Sequence, residues 1–347
     1  MSKLANNSRD YGIDLTKVVA IFSVLLIHSC SMFGAYSAPL SSFDWYSGVF
    51  WGGVCRAGVP LFFMCSGALM LDPGRDYSIK KLWTKNILRI LIAALVWGFI
   101  YKLYHLIAGG AISAATLFSA LEEVLLFKTD FHFYFLQIIL LVYAFLPLTR
   151  AFVKAADKRL LQYAIFIWAA LGIVYPTVAG FWPFKLLSGI PKQWLMNMSY
   201  AAIGYGLLGF YLKTYPLKKS ADIWLALGGL AFVLGGTVFM SLRRGALYSG
   251  FMEGMTLGVC LMAAGIFGLC GKAAPRSRRL VSIISKASFC IYLSHILFLY
   301  IFQKWGLTGN FLPTALTMPL IALALFLPSF ALYVILSKIP LVRRWLI

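Results

Sequence analysis

Asp14-Leu-Thr-Lys17-Val-Val-Ala-Ile-Phe-Ser-Val-Leu-Leu-Ile-His28 opens on a carboxylate and an ammonium and closes on an imidazole, and what lies between Lys17 and His28 is almost wholly apolar. With its flanks the run is long enough to cross a bilayer as a helix. Asp or Lys at the centre of such a helix costs roughly 2.5–3.5 kcal/mol on insertion scales, so a chain that keeps these groups has a use for them. Lys17 and His28 are eleven residues apart, about 1100° of helical rotation, only about 20° past three full turns. Asp14, three residues before Lys17, shares that face. The rise from Lys17 to His28 is roughly 16 Å at 1.5 Å per residue. The first span therefore carries a polar stripe from one membrane boundary past the bilayer middle.

Outward from this stretch the chain keeps the same character. Of its 347 residues, 61% are hydrophobic and 12% charged, and the mean hydropathy is +0.84. That composition excludes a soluble domain of this size and predicts a polytopic membrane protein. The apolar runs are too long for barrel strands. The fold class is therefore all-α, a membrane helix bundle with about ten transmembrane helices in a single domain, 1–347. Spans are expected at roughly 12–34, 48–71, 82–106, 132–153, 160–178, 199–214, 221–241, 249–271, 287–303 and 311–337. Asn6, Asn7 and Ser8 are candidate caps for the first helix. Segments 112–127 and 181–198 read as outer loops with amphipathic or re-entrant pieces. The first apolar run lacks a small-residue cleavage site, so no removable signal peptide is expected.

The formal charge is +20. Its basic residues sit in short loops between apolar spans, a pattern that speaks against nucleic acid and for positive-inside orientation. With the N-terminus in the cytoplasm, the inner segments hold Lys3 and Arg9, four residues over 75–85, four over 150–159, three over 213–219, five over 272–286 (Arg276 among them) and three over 338–344. They outnumber the outer Lys102, Lys128, Lys185, Lys192, Arg243, Arg244 and Lys304 by three to one, which predicts both termini on the cytoplasmic side. The six cysteines lie in or beside apolar spans and form no CxxC pair, and the four histidines fall in four segments without a chelating i,i+4 pair. Neither zinc, another metal, nor a disulfide framework is indicated.

Polar groups inside the spans are the candidate chemistry. Arg56 interrupts the second span in Val54-Cys-Arg56-Ala-Gly58-Val-Pro60. It lies about eight residues, roughly 12 Å, below the outer surface, a depth close to that of His28 on the neighbouring helix. It is a candidate holder of an anion or a carbonyl oxygen; the competing reading is an arginine that snorkels or pairs with an acid. Ser66, in Phe62-Phe63-Met-Cys-Ser66-Gly67, serves packing or substrate contact. His132 and Tyr134 open the fourth span at the expected outer interface, where an aromatic belt explains them equally well. Tyr292 and His295 share a face of the ninth span, and a mid-membrane histidine is expected to face the bundle. Glu253 is placed to balance Arg56 or Arg244. His105 reads as interfacial. No GxSxG, HExxH or P-loop is present.

Taken in order, these motifs resemble the acyltransferase 3 family of bacterial inner-membrane proteins. The resemblance covers essentially the whole length. It rests on Gly12-Ile-Asp14-Leu-Thr-Lys17 with His28 after ten intervening residues, and on Arg56-Ala-Gly-Val-Pro60-Leu-Phe-Phe63-Met-Cys-Ser66-Gly67. It continues through His132-Phe-Tyr134-Phe-Leu136 followed by Pro147-Leu-Thr-Arg150, and ends in Ser288-Phe-Cys-Ile-Tyr292-Leu-Ser-His295. The short form, without an attached extracytoplasmic domain, looks most like the enterobacterial common antigen O-acetyltransferase branch. Two departures stand out: the family's basic residue is most often arginine where Lys17 stands, and relatives often carry tryptophan at the position of Tyr134. Lysine keeps the charge but loses the planar fork.

The resemblance implies transfer of an acyl group, usually acetyl, from cytoplasmic acetyl-CoA to a hydroxyl of a cell-surface or lipid-linked glycan. Acetyl-CoA is then the donor, no cofactor is permanently bound, and the location is the bacterial inner membrane, in contact with membrane lipid. Phosphates of the donor would meet the basic inner face, with Lys80, Lys81 and Arg278 as candidate contacts, and the thin pantetheine arm would thread along the stripe to His28. His28 is the natural general base, since imidazole titrates near working pH. Asp14, about 21 Å from His28 along the axis, is expected to pair with Lys17 at the donor entrance, with Ser66 nearby. Arg56 is expected to stabilise the oxyanion; a transient acyl-histidine is the other route. His132, Tyr134, Glu253, Tyr292 and His295 are candidate acceptor contacts. The alternative function is a transporter or flippase of a lipid-linked glycan or small solute, which ten spans with buried charge would also suit. The acceptor sugar and the oligomeric state are not encoded in any motif.

Overall fold

The computed structural model describes residues 9–75, 78–187, 189–274, 277–309 and 311–347, and among them there are helices and no strand. The expected caps Asn6, Asn7 and Ser8, and the charges Lys3 and Arg276, lie outside the described residues. Asp10 performs the capping: its side chain accepts the Ile13 N–H at the start of α1 (Tyr11–Met32). The same carboxylate pairs with Lys213 at 2.8 Å. Partial burial would raise the Asp10 carboxyl, but the hydrogen bonds from Lys213 and Ile13 and the lysine charge outweigh it and hold it below the usual carboxylate range.

The second span is one helix broken in two, α2 (Phe43–Val54) and α3 (Gly58–Met70), with Arg56 in the turn between them. Pro60 lies in the first turn of α3, where a missing N–H leaves no intrahelical bond unmade. The short α4 (Ile79–Lys81) runs through a π-helical stretch, Leu82–Ile87, into α5 (Leu88–Ala108). The amphipathic α6 (Ala114–Leu125) follows with a capping box at Ser113 and Thr116. A 3-10 turn, Phe131–Phe133, leads into α7 (Tyr134–Ala144), bent by 49° from α8 (Leu146–Ala155).

Then come α9 (Lys158–Ala169), a π stretch Ala170–Val174, α10 (Tyr175–Val178) and α11 (Ile190–Gln193). The second half holds α12 (Met198–Thr214), α13 (Lys219–Arg244), α14 (Leu257–Lys272), α15 (Arg278–Lys304), α16 (Thr314–Leu336) and the terminal α17 (Pro340–Trp345).

Among the described residues eight helices are long and apolar enough to cross a membrane, nine if the bent pair counts as one span. The all-α membrane bundle is as the composition requires. The remaining expected span, 199–214, is α12, whose 17 residues reach only about 26 Å. It is packed among α3, α7, α9 and α14. Two tight crossings fix it: a Cβ on Gly67 would stand 1.9 Å from the Gly206 carbonyl oxygen, and one on Gly209 would stand 2.2 Å from that of Met64. Small residues let these backbones touch, the usual device where no hydrophobic effect drives helices together in lipid.

Candidate active site

Four helices, α1, α3, α7 and α15, line two cavities that follow one another along the bundle. The larger has a volume of about 720 Å³, within the roughly 300–1,000 Å³ typical of ligand sites. Lys17, Lys85, Arg89, Lys286 and Arg344 bring five cationic side chains to its wall, and among the described residues no acidic one. Ser66, Phe135 and Tyr292 are also in the lining. Arg344 and Trp345 arrive from α17, which is tied to α5 by Trp97 Nε1 donating to the Leu346 carbonyl at 3.1 Å and by Arg89 donating to that of Ile347. A concentration of cations without carboxylates is suited to a polyanion such as a phosphorylated carrier.

The smaller cavity, about 90 Å³, is lined by His28, Arg56, His132, Tyr134, Glu253 and Tyr292 among others. The inference that Arg56 and His28 sit at one depth is met: both face this space. The Arg56 guanidinium is fixed by Nε donating to the Gly52 carbonyl at 2.9 Å, with Nη2 3.5 Å from the Tyr36 hydroxyl. Glu253 shares the cavity with Arg56 without reaching ion-pair distance of it. Arg244, the other expected partner, stacks 4.3 Å over the Tyr248 ring.

Three histidines meet here. The His28 ring lies 5.1 Å from that of His295, and His295 lies 5.6 Å from His132. The Nδ1 of His295 faces the carbonyls of Tyr292 at 2.7 Å and Ile291 at 3.1 Å. A carbonyl only accepts, so Nδ1 carries the hydrogen and the neutral ring presents its lone pair at Nε2. That nitrogen is buried with no protein partner, as are both ring nitrogens of His132. Buried polar atoms without partners are uncommon, and three of them fall together in this cluster.

Several expectations need correction. Asp14 does not pair with Lys17: its carboxylate takes an ion pair from Arg9 and the Ser285 hydroxyl at 2.6 Å. These partners pin α1 to α15 and leave Lys17 at the cavity wall. His132 is not interfacial. The 3-10 turn swings it inward, to 1% exposure, against Tyr101, Tyr292 and His295. Lys80, Lys81 and Arg278 stand outside the basic cavity's lining; Arg278 lies over the Tyr11 ring at 5.1 Å. Besides Lys17, the cations that line it are Lys85, Arg89, Lys286 and Arg344. Being spread over α5 with its π stretch, α15 and α17, these carried no local signal. Phe135 was also missed, hidden among many phenylalanines.

Asp130 holds the 3-10 turn from below, accepting the Tyr300 hydroxyl at 2.8 Å with His105 Nε2 at 3.2 Å. Among the described residues no three His, Cys, Asp or Glu side chains converge to hold a metal ion.

No curated protein and no solved structure matches the chain. Residues 10–338, which carry both cavities apart from the α17 contribution, match the acyltransferase domain of the acyltransferase 3 family. The chain therefore belongs to that family: it is a multi-pass membrane acyltransferase that uses an acyl donor.

Proposed function

We propose that the chain acts as a single integral-membrane domain that moves an acetyl group from acetyl-CoA to a hydroxyl of a cell-surface or lipid-linked glycan, in a bacterial inner membrane with both termini cytoplasmic. The observation that carries this reading is the pairing of cavities: a basic one of about 720 Å³ beside the chain ends and a histidine-lined one of about 90 Å³ deeper in the bundle, in contact through shared walls. The cations of the first suit the phosphates of coenzyme A. Lys17 sits at the donor's entrance and His28 at its destination, on one face of α1.

In the reaction, His28 accepts the proton of the acceptor hydroxyl. The oxygen attacks the thioester carbonyl, the C–O bond forms and the C–S bond breaks, and His28 passes its proton to the departing sulfur, which leaves as the thiol of coenzyme A. Arg56 stands where negative charge develops on the carbonyl oxygen. His295, with its lone pair toward the cluster, supports the His28 ring. His132, Tyr134 and Glu253, all in the lining of the small cavity, offer the acceptor its polar contacts. Transfer through an acetyl-His28 intermediate is the other route; rapid quenching and mass spectrometry of the His28 peptide distinguishes the two. No specific feature favours transport.

The test is direct. Purified protein in lipid nanodiscs is given radiolabelled acetyl-CoA and a glycan extract of the source cell. Label is expected to appear as an alkali-labile ester on the glycan. Label that never leaves the thioester would defeat the proposal.

A further inference from the structure

Two side chains, Phe135 of α7 and Tyr292 of α15, line both cavities and form the wall between them. Their rings meet edge to face, 5.2 Å between centroids at 62°. Tyr292 is anchored, its hydroxyl donating to the His132 carbonyl. Phe135 has no polar anchor and is held only by rings: Tyr292, Phe63 at 5.1 Å and Phe62 at 5.9 Å. Of the two, Phe135 is the side chain that can change rotamer without breaking a hydrogen bond, although it is buried and its ring neighbours must yield to let it turn. The space beyond it is small. At about 90 Å³ it falls well below the roughly 300–1,000 Å³ of ordinary ligand sites. An acetyl group has three heavy atoms, and each further methylene takes up roughly another water's volume.

We propose that Phe135 is the gate through which the acyl end of the donor passes from the basic cavity to His28, and that its ring, with the small cavity behind it, limits the length of the acyl group. The inference rests on the acyl-CoA reading above. While the ring is turned aside the thioester carbonyl enters, the ester forms as already described, and the thiol withdraws into the basic cavity. Donor binding belongs to the cations of the larger cavity and is independent of the gate.

Full-length protein in nanodiscs is assayed for free thiol released from acetyl-, butyryl- and hexanoyl-CoA in the presence of the glycan extract, and coenzyme A affinity is measured by calorimetry. Wild type is expected to prefer acetyl over hexanoyl by at least about tenfold, the scale on which apolar pockets discriminate added methylenes. Phe135→Ala is expected to bring the two rates within about threefold of each other, and Phe135→Leu to fall between. Phe135→Trp is expected to slow acetyl transfer about tenfold or more by overfilling the passage. Coenzyme A affinity should change less than twofold in the leucine and tryptophan variants, which decide the matter if the alanine variant folds poorly. An unchanged chain-length profile with coenzyme A still bound would overturn the gate and leave the acyltransferase reading intact. Wild-type protein that releases thiol from none of the three donors would overturn both.

Discussion

His28 and Lys17 lie on one helix face but in different cavities, and that separation makes their substitutions distinguishable. His28→Ala is expected to lower the transfer rate by about 10²–10⁴-fold, the usual contribution of a general base, with acetyl-CoA affinity unchanged by calorimetry. Lys17→Ala should do the reverse, weakening donor binding about tenfold through loss of one charge-assisted contact with little change in turnover at saturation. Asp10 is a third case. Its carboxyl is held low by Lys213 and by its helix cap. It therefore contributes stability above the ordinary carboxylate value, and that contribution is lost as pH falls through the lowered one. Asp10→Asn should therefore lower the unfolding temperature most at neutral pH, with variant and wild type converging as pH falls, so that the acid limb of the thermal-stability profile flattens.

At this scale the sequence was legible where a single helix decides the geometry, as in the eleven-residue interval from Lys17 to His28. It failed for Asp14, because i,i+3 neighbours can be outbid by a partner helix, here through Ser285, which is 271 residues away.

Among the elements, α15 does the most to organise the site. Ser285, Ser288, Tyr292 and His295 recur at intervals of three and four, so they share one stripe. That stripe passes from the Asp14 contact, through the large cavity, to the histidine cluster. The 3-10 turn that carries His132 is the second device, and it depends on Asp130. Asp130→Ala should lower turnover several-fold with unchanged donor affinity, whereas Asp130→Asn keeps an acceptor for Tyr300 and should retain most activity; parallel kinetics of the two variants checks this. The crossing of α3 and α12 is the third. Gly67→Ala puts a methyl into the Gly206 backbone and should destabilise the bundle by about 1–3 kcal/mol, read as a lower unfolding temperature in detergent. The second span, expected as one stretch over 48–71, is broken at Arg56, beside Gly58 and Pro60. The inward turn at His132 was not legible, since aromatic residues beside a span boundary look the same whether they face headgroups or neighbouring helices.

For the molecule as a whole, charge bias gives an orientation that can be tested with few complications, because the six cysteines are all buried. A cysteine introduced at Lys185 should react with an impermeant maleimide added to the outside of spheroplasts. One at Lys158 should react only in inverted vesicles. The opposite pattern would turn the molecule over and place the basic cavity on the wrong side for a cytosolic donor. Hydropathy and charge together specified the class and nearly all of the spans. They fell short at α12, whose 17 residues are sheltered by neighbours and need not be long enough to meet lipid along their whole length. They also fell short at the basic cavity, which is assembled from α1, α3, α5, α7, α15, α17 and the π stretch before α5.

The ring pair at Phe135 and Tyr292 bears on more than substrate choice. An energised bilayer stores work in its proton gradient, and any continuous file of water from cytosol to exterior would drain it. The Phe135 ring conducts no protons, and the Tyr292 hydroxyl is committed to the His132 carbonyl. On the gate proposed above, an acyl unit passes without opening such a file, and the molecule is an airlock with one door at these two rings.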